Sequence, residues 1–351
     1  MDNQIQAAYR RMLELRRVTP VTAWSDLLRN ALRQAARHLA QEQEAPFFPP
    51  QIYIEPTNAC NCNCVICPRR NMTRPVGYMA LDLYRSIVEQ AAALGPSDVN
   101  LFNFGEPTLH PDLPEMVRFA AGLRLETAIQ TNGLLGDERA LRALLEAGLR
   151  RIGVSVNGLT PSEYEAIRPG HKFERLLANL GAIRRAIDES GGACRLNIAA
   201  QALKEDMEKR PGDVEQYKRV LGPFADSVSI FGISRYAGIS LPRSGRIEQP
   251  DAGPAPRRPD EQVKCCEPFD RLVVKWDGRA TVCCADFDAQ LVVGDLAREP
   301  FADVWNGAAI RRVRDLVKAR QYSRLALCCA CPKFCSDQFT VVFRREPTPG
   351  A

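Results

Sequence analysis

Glu55-Pro56-Thr57-Asn58-Ala59-Cys60-Asn61-Cys62-Asn63-Cys64-Val65-Ile66-Cys67-Pro68 decides how this chain is read. It follows a short β-prone run, Ile52–Glu55, and contains the spacing Cys60-x3-Cys64-x2-Cys67. Thiolates at these offsets in a short loop can wrap three corners of a cubane iron–sulfur cluster. The fourth iron would then stay open to a ligand, as catalytic metal sites keep one position open. The same loop could instead tie an all-cysteine zinc knot with Cys62 as fourth ligand. The single residue between Cys60 and Cys62 strains a tetrahedral site of that kind.

Composition narrows the chemistry to thiolates. The 351 residues hold 13 cysteines against three histidines, His38, His110 and His171, which disfavours zinc or copper sites built from several imidazoles. A chain this long, with 45% apolar and 25% charged residues, has the balance of a soluble globular protein and is no small disulfide scaffold. Net charge is +5 and 39 of the 47 basic residues are arginine, but 42 acidic residues and the lack of a long basic run argue against a nucleic-acid surface. Met1-Asp2-Asn3-Gln4 does not begin a signal-peptide pattern, and no apolar run approaches the ~18 residues that would span a membrane. A reducing cytoplasm, where cysteines stay available for metal, is the expected location.

Periodicity gives the organisation. Residues 1–50 read as a helical extension, with Leu28, Leu32, Ala35 and Leu39 on one stripe and Arg29, Arg33 and Arg37 off it. Pro20 suggests two helices, packed as a cap or free to hold a partner. From residue 51 to 240, β runs (Ile52–Glu55, Val99–Phe104, Thr127–Thr131, Arg151–Asn157, Arg195–Ala200, Ser227–Ile233) alternate with amphipathic helical runs. That alternation predicts an α/β fold with a parallel sheet and right-handed crossovers. Six runs suit a partial barrel better than a short doubly wound sheet, although periodicity does not separate the two. Residues 241–262 are a Pro-rich linker. In the following segment, residues 263–340, Asp277-Gly278 after the apolar run Leu272-Val273-Val274-Lys275-Trp276 predicts a hairpin, and Pro300–Arg320 a helical stretch. Residues 341–351 read as a tail.

With these motifs in view, the chain resembles the radical S-adenosylmethionine (SAM) superfamily. Asn103-Phe104-Gly105-Glu106-Pro107 is similar to the family's glycine-rich GGEP segment, with Phe104 in place of the first glycine. Gln130-Thr131-Asn132-Gly133, Val154-Ser155-Val156-Asn157-Gly158 and Ile167-Arg168-Pro169-Gly170 follow later β runs, so all would collect at one mouth of the sheet. The departures are Asn157 where relatives often carry Asp and Ile66 where many carry an aromatic. The resemblance implies a partial (β/α)6 TIM-like barrel. It also implies a [4Fe–4S] cluster on Cys60, Cys64 and Cys67. SAM would be held by Phe104, Gly105, Glu106 and Pro107, with Asn132, Ser155, Asn157 and Arg168 as further contacts or as barrel-mouth hydrogen bonds.

The later cysteines resemble the SPASM and shorter twitch extension of that superfamily. Cys265-x2-Pro268-Phe269, Asp277 to Cys283, Gly294-Asp295-Leu296, Val304-Trp305-Asn306 and Cys328-x2-Cys331 carry the likeness. It implies one auxiliary [4Fe–4S] cluster on Cys265, Cys283, Cys328 and Cys331, with Cys266 able to exchange with Cys265. A zinc ribbon on the same four thiolates, in a non-enzymatic interaction protein, is the alternative. Cys62, Cys194, Cys266, Cys284, Cys329 and Cys335 are left without firm roles.

The layout is similar to aminocyclitol dehydrogenases and aminoglycoside epimerases, so the expected reaction oxidises or epimerises a small polar substrate. Cys284 is the candidate thiol hydrogen donor. Arg235, Tyr236, Asp286 and Asp288 are the candidate substrate contacts. A peptide-modifying maturase, using the Arg-rich helices to hold a leader, is the alternative enzyme. The expected electron donor is a flavodoxin- or ferredoxin-type protein.

Overall fold

The computed structural model describes residues 26–95, 97–134, 138–202, 213–232, 264–329, 331 and 340–344. Arg235, Tyr236, Cys335 and the 241–262 linker lie outside the described residues.

Alternation along the strands gives the sheet two unlike faces. Helix α1 (Asp26–Gln41) precedes the strands β1 (Gln51–Ile54), β2 (Asp98–Asn100), β3 (Glu126–Thr131), β4 (Arg151–Asn157), β5 (Arg195–Ala202) and β6 (Ser227–Gly232). These six pair in chain order and all in parallel. The crossovers are α2 (Leu81–Leu94), α3 (Leu113–Gly122), α4 (Glu138–Glu146), α5 (Pro161–Ile167) with α6 (Phe173–Glu189), and α7 (Asp213–Leu221). Ile52, Ile54, Val99, Ile129, Ile152, Val154, Val156, Leu196, Ile198, Val228 and Ile230 point to one face. They are buried in one core with Ile87, Val88, Met116, Val117, Leu144, Leu176, Leu180 and Ile183 of the helices. Each such side chain stabilises the fold by about 1.5–3 kcal/mol. Gln51, Tyr53, Asn100, Gln130, Ser155, Asn157, Asn197 and Gln201 alternate onto the other, inner face, which is therefore polar.

The sheet does not close. β6 pairs with the antiparallel strand β10 (Thr340–Arg344), and β1 takes β7 (Arg271–Val274) as a parallel neighbour on its outer edge. The result is a partial barrel within one ten-stranded sheet of order β10-β6-β5-β4-β3-β2-β1-β7-β8-β9. The segment 263–340 is thus hydrogen-bonded into the barrel sheet through β7. Residues 341–344, expected as tail, form most of its other edge. The predicted hairpin is present: β7 turns at Asp277-Gly278, with Gly278 at φ +93°, into antiparallel β8 (Arg279–Thr281), followed by β9 (Val292–Asp295).

The helical stretch predicted over 300–320 is two helices, broken at Gly307. After the short α8 (Glu267–Asp270) come α9 (Phe301–Asn306), α10 (Ala308–Lys318) and α11 (Ala326–Cys329). Trp305 of α9 is fully buried, donates to the Pro46 carbonyl at 3.0 Å and lies 4.2 Å under the Arg314 guanidinium.

The three arginines of α1 are structural. Arg29 donates to the Arg124 carbonyl at 2.6 Å. Arg33 and Arg37 both reach Asp98, the first residue of β2, with Arg33 at 2.5 Å, and Arg151 adds a contact at 3.5 Å. Asp98 is buried, so α1 closes the N-terminal end of the barrel through one carboxylate. All three side chains are thus engaged within the protein. Asp98→Ala leaves Arg33, Arg37 and Arg151 facing one another without that carboxylate, and should lower unfolding stability by about 2–3 kcal/mol in a denaturant titration. A loss within about 0.5 kcal/mol, the range of ordinary surface changes, would show that the network is not stabilising.

Candidate functional site

The first cysteine loop is seated against the loop after β2. Gly105 adopts φ +104°, and a Cβ there would stand 2.3 Å from the Thr57 carbonyl oxygen and 2.7 Å from Asn58 Cα. Only glycine allows that approach without displacing backbone. The Glu106 amide donates to the Ala59 carbonyl at 2.7 Å, locking the loops together. The Glu106 carboxylate turns inward and accepts from the Asn132 amide at 2.8 Å and the Thr108 hydroxyl at 2.7 Å. Burial pushes its pKa up, against those hydrogen bonds.

Asn132 joins three motifs. Its Nδ2 donates to Asn61 Oδ1 at 2.6 Å and to Cys62 Sγ at 3.2 Å, while its carbonyl accepts from Arg168 at 2.7 Å. Arg168 is buried and also donates to Asn157 Oδ1 at 2.9 Å and the Ser155 carbonyl at 2.7 Å. Ser155 Oγ accepts from Gln130, and Asn157 donates to Gln201. The polar residues predicted at one mouth of the sheet therefore form one connected network.

Within the loop the thiols differ in acidity. A hydrogen bond from Cys62 holds Cys60 down at about 7 against burial. The same partner, helped by the Arg168 and Arg69 charges, holds Cys64 at about 6. Cys62, the shared donor, is pushed up by its hydrogen bonds to Cys60 and Cys64 and by burial. Burial pushes Cys67 up to about 11, with the charges of Cys64 and Cys60 adding to it.

The second set of thiols lines a shared pocket. Cys265, Cys283, Cys328 and Cys331 all line it, together with Val282, Leu291, Val313, Val317 and Leu327. Among the described residues no three His, Cys, Asp or Glu side chains converge as they would on a bare ion. The four thiols instead share the lining of one pocket. Cys266 is outside the cavity, with Sγ directed to the Gln41 carbonyl at 3.5 Å. Cys284 also turns away, toward Glu267 Oε2 at 3.9 Å, and its hydrogen bond to Cys283 raises the Cys283 pKa together with burial.

The acidic residues beside Cys283 are occupied. Asp286 is fully buried and accepts from the Gln290 and Leu291 amides at 2.8 and 2.9 Å, so it closes a turn rather than facing a substrate. Asp288 accepts from the Thr73 amide and hydroxyl at 2.8 and 2.9 Å, fastening the extension to the first cysteine loop. Sequence reasoning missed Tyr53, Asn103 and Lys275. Tyr53 lies on the inner face beside Phe102, with its hydroxyl accepting from Arg271 at 3.1 Å and its pKa pushed up to about 12 by burial. The one available signal was a lysine in the otherwise apolar run Leu272 to Trp276.

Comparison with known proteins accords with this geometry. Residues 54–200 match the family model of the radical SAM superfamily, and residues 265–332 match that of an iron–sulfur cluster-binding domain. An AdoMet-dependent heme synthase of Methanosarcina barkeri is 31% identical over 39% of this chain and 40% of its own length. The chain matches less than half the length of its first curated relatives. BtrN, solved with AdoMet and 2-DOIA, superposes with TM-score 0.53 at 21% identity, over 81% of this chain and 93% of BtrN. Streptococcus suis SuiB, solved with the precursor peptide SuiA, gives 0.59 at 16% identity, over 81% of this chain and 71% of SuiB. Both likenesses are of fold. Among the described residues no helix is long and apolar enough to cross a membrane.

Gly105→Ala should force the two loops apart and cost about 2–3 kcal/mol through strain and backbone contact. Thermal unfolding beside a Gly181→Ala control, whose Cβ would find only ordinary contacts, checks this. Equal melting of the two variants would contradict it.

Proposed function

Because the chain belongs to the radical SAM superfamily and carries an iron–sulfur cluster-binding domain, we propose that it abstracts hydrogen from a small polar substrate of aminocyclitol or sugar type, oxidising or epimerising a carbon beside a hydroxyl or amine. The observation that carries this substrate class is the polar inner face. There Asn100 has its Nδ2 buried with no hydrogen-bond partner among the described residues. An unmet buried amide donor costs about 1–3 kcal/mol, and a substrate hydroxyl or carbonyl oxygen would satisfy it. Tyr53, Gln51 and Gln130 share the same face. The fold likeness to BtrN, whose structure holds 2-DOIA, supports the reading.

Cys60, Cys64 and Cys67 would hold the SAM-binding [4Fe–4S] cluster, and Cys265, Cys283, Cys328 and Cys331 one auxiliary [4Fe–4S] cluster. When bound, the first with SAM supplies a hydrogen-abstracting radical and the second a one-electron acceptor. The chain's own part is orientation. Phe104, Gly105, Glu106 and Pro107 form the ledge for SAM. Arg168 fixes Asn132, Ser155 and Asn157 around it. Cys284 would return a hydrogen in an epimerisation. A flavodoxin- or ferredoxin-type protein would supply the electron that starts the cycle.

A peptide-modifying role is the second reading, supported by the fold likeness to SuiB. The engagement of Arg29, Arg33 and Arg37 within the protein weakens it.

Two measurements test these assignments. Cys265→Ser should drop iron from about eight to about four per chain, while Cys266→Ser keeps all of it. The opposite pattern would move the ligand to Cys266. Anaerobic incubation with SAM, dithionite and a panel of aminocyclitols should give 5′-deoxyadenosine above the substrate-free background. The triple variant Cys60→Ala/Cys64→Ala/Cys67→Ala serves as blank. A rise only with peptides would replace the substrate class proposed here.

A further inference from the structure

Lys275 follows β7 and is fully buried. Its ammonium donates to Asn103 Oδ1 at 2.7 Å and to the Asp286 carbonyl at 2.5 Å, and lies 5.8 Å from the centroid of the Phe104 ring. Both acceptors are neutral. Among the described residues no carboxylate forms an ion pair with it, and the neighbouring Glu55 is held by both Arg74 terminal nitrogens at 2.9 Å. Burial, foremost, lowers the Lys275 pKa, while the charges of Glu55, Asp286 and Cys284 oppose that. A buried ammonium without a direct counter-charge costs several kcal/mol. Leu272, Val273 and Val274 precede it, and a methionine would continue that apolar run at no such cost.

The two acceptors belong to the two cofactor loops. Asn103 immediately precedes Phe104-Gly105-Glu106-Pro107, and Asp286 lies three residues after Cys283. Asn103 closes the triangle by donating to the Cys284 carbonyl at 3.0 Å, and Phe104 meets Phe287 edge-on at 6.1 Å. One ammonium therefore holds the ledge for SAM and the loop carrying Cys283 at a fixed separation. Reduction of a thiolate-bound cluster adds negative charge in a low-dielectric place, where a fixed cation favours the reduced state.

We propose that Lys275 is a positioning residue that clamps the SAM-binding loop to the auxiliary-cluster loop, and that its ammonium raises the reduction potential of the auxiliary cluster. The proposal rests on the reading of Cys265, Cys283, Cys328 and Cys331 as ligands of that cluster.

The test is a dithionite titration followed by electron paramagnetic resonance. It uses the reconstituted full chain carrying Cys60→Ala/Cys64→Ala/Cys67→Ala, so that only the auxiliary cluster titrates. In that background Lys275→Met should shift the equilibrium at least tenfold toward the oxidised cluster, a midpoint about 59 mV lower, and Lys275→Arg should stay near the parent. Lys275→Gln keeps an amide donor for the two loop oxygens but no charge, and should also titrate low. An unchanged midpoint in an iron-loaded Lys275→Met or Lys275→Gln overturns the proposal. If Lys275→Met does not retain iron, the Lys275→Gln midpoint decides. Failure of the parent background to hold about four irons overturns the auxiliary-cluster reading instead.

Discussion

The parallel pairing of β1 with β7 is the contact on which both proposed cofactor sites depend. β1 is a four-residue strand with hydrogen-bonded neighbours on both edges, β2 on one side and β7 on the other. The first cysteine loop leaves its C-terminal end. The loop of Phe104 to Pro107 follows β2, and the hairpin that delivers Cys283 begins with β7. Three chemically distinct loops are thereby registered against one short strand. A shift of one residue in β7 would turn Arg271 and Val273 from the inner face to the helix face. It would also move Lys275 away from Asn103.

That dependence explains what could and could not be read from the amino-acid sequence. Cys60, Cys64 and Cys67 are legible because a loop of eight residues carries its own spacing. The strands are legible because apolar alternation is local. The β1–β7 pairing joins residues more than two hundred positions apart through four-residue strands, and nothing within either segment announces the other. Asp286 shows the opposite error. A carboxylate three residues from a proposed ligand cysteine looks available to a substrate, but the Gln290 and Leu291 amides occupy it, and backbone donors leave no trace in side-chain patterns. The choice between Cys265 and Cys266 is of the same kind. Adjacent cysteines are equivalent in sequence and separate only when the chain direction around the cavity is known.

The N-terminal helix shows how one feature supports two readings until its partners are seen. An arginine row off an apolar stripe suits a surface that holds an acidic or extended partner. Here the row meets Asp98 at the base of β2, and the same helix ends against the extension, where Gln43 donates to the Cys265 carbonyl at 2.8 Å. Residues 26–43 therefore brace the barrel floor and a proposed cluster ligand together. Arg33, Arg37 and Arg151 can all stand near Asp98 because the carboxylate offers two oxygens, and Glu126 takes part of the excess positive charge.

The polar groups at the seam carry a cost that packing alone does not explain. Glu55, Asp286, Arg74 and Lys275 are all buried, two anions and two cations, in a place where apolar side chains would stabilise the fold more simply. Arg74 and Glu55 satisfy each other through two parallel bonds, and Arg74 also donates to the Phe287 carbonyl at 2.8 Å. Subtracting that pair leaves Lys275, hydrogen-bonded to uncharged oxygens of the two loops, and the Asp286 carboxylate, which the Gln290 and Leu291 amides hold. A protein that needed only to join two loops could do so with a neutral amide. A buried ammonium bonded only to uncharged oxygens makes energetic sense where negative charge comes and goes beside it, and a thiolate-bound cluster that accepts and releases an electron would be such a neighbour.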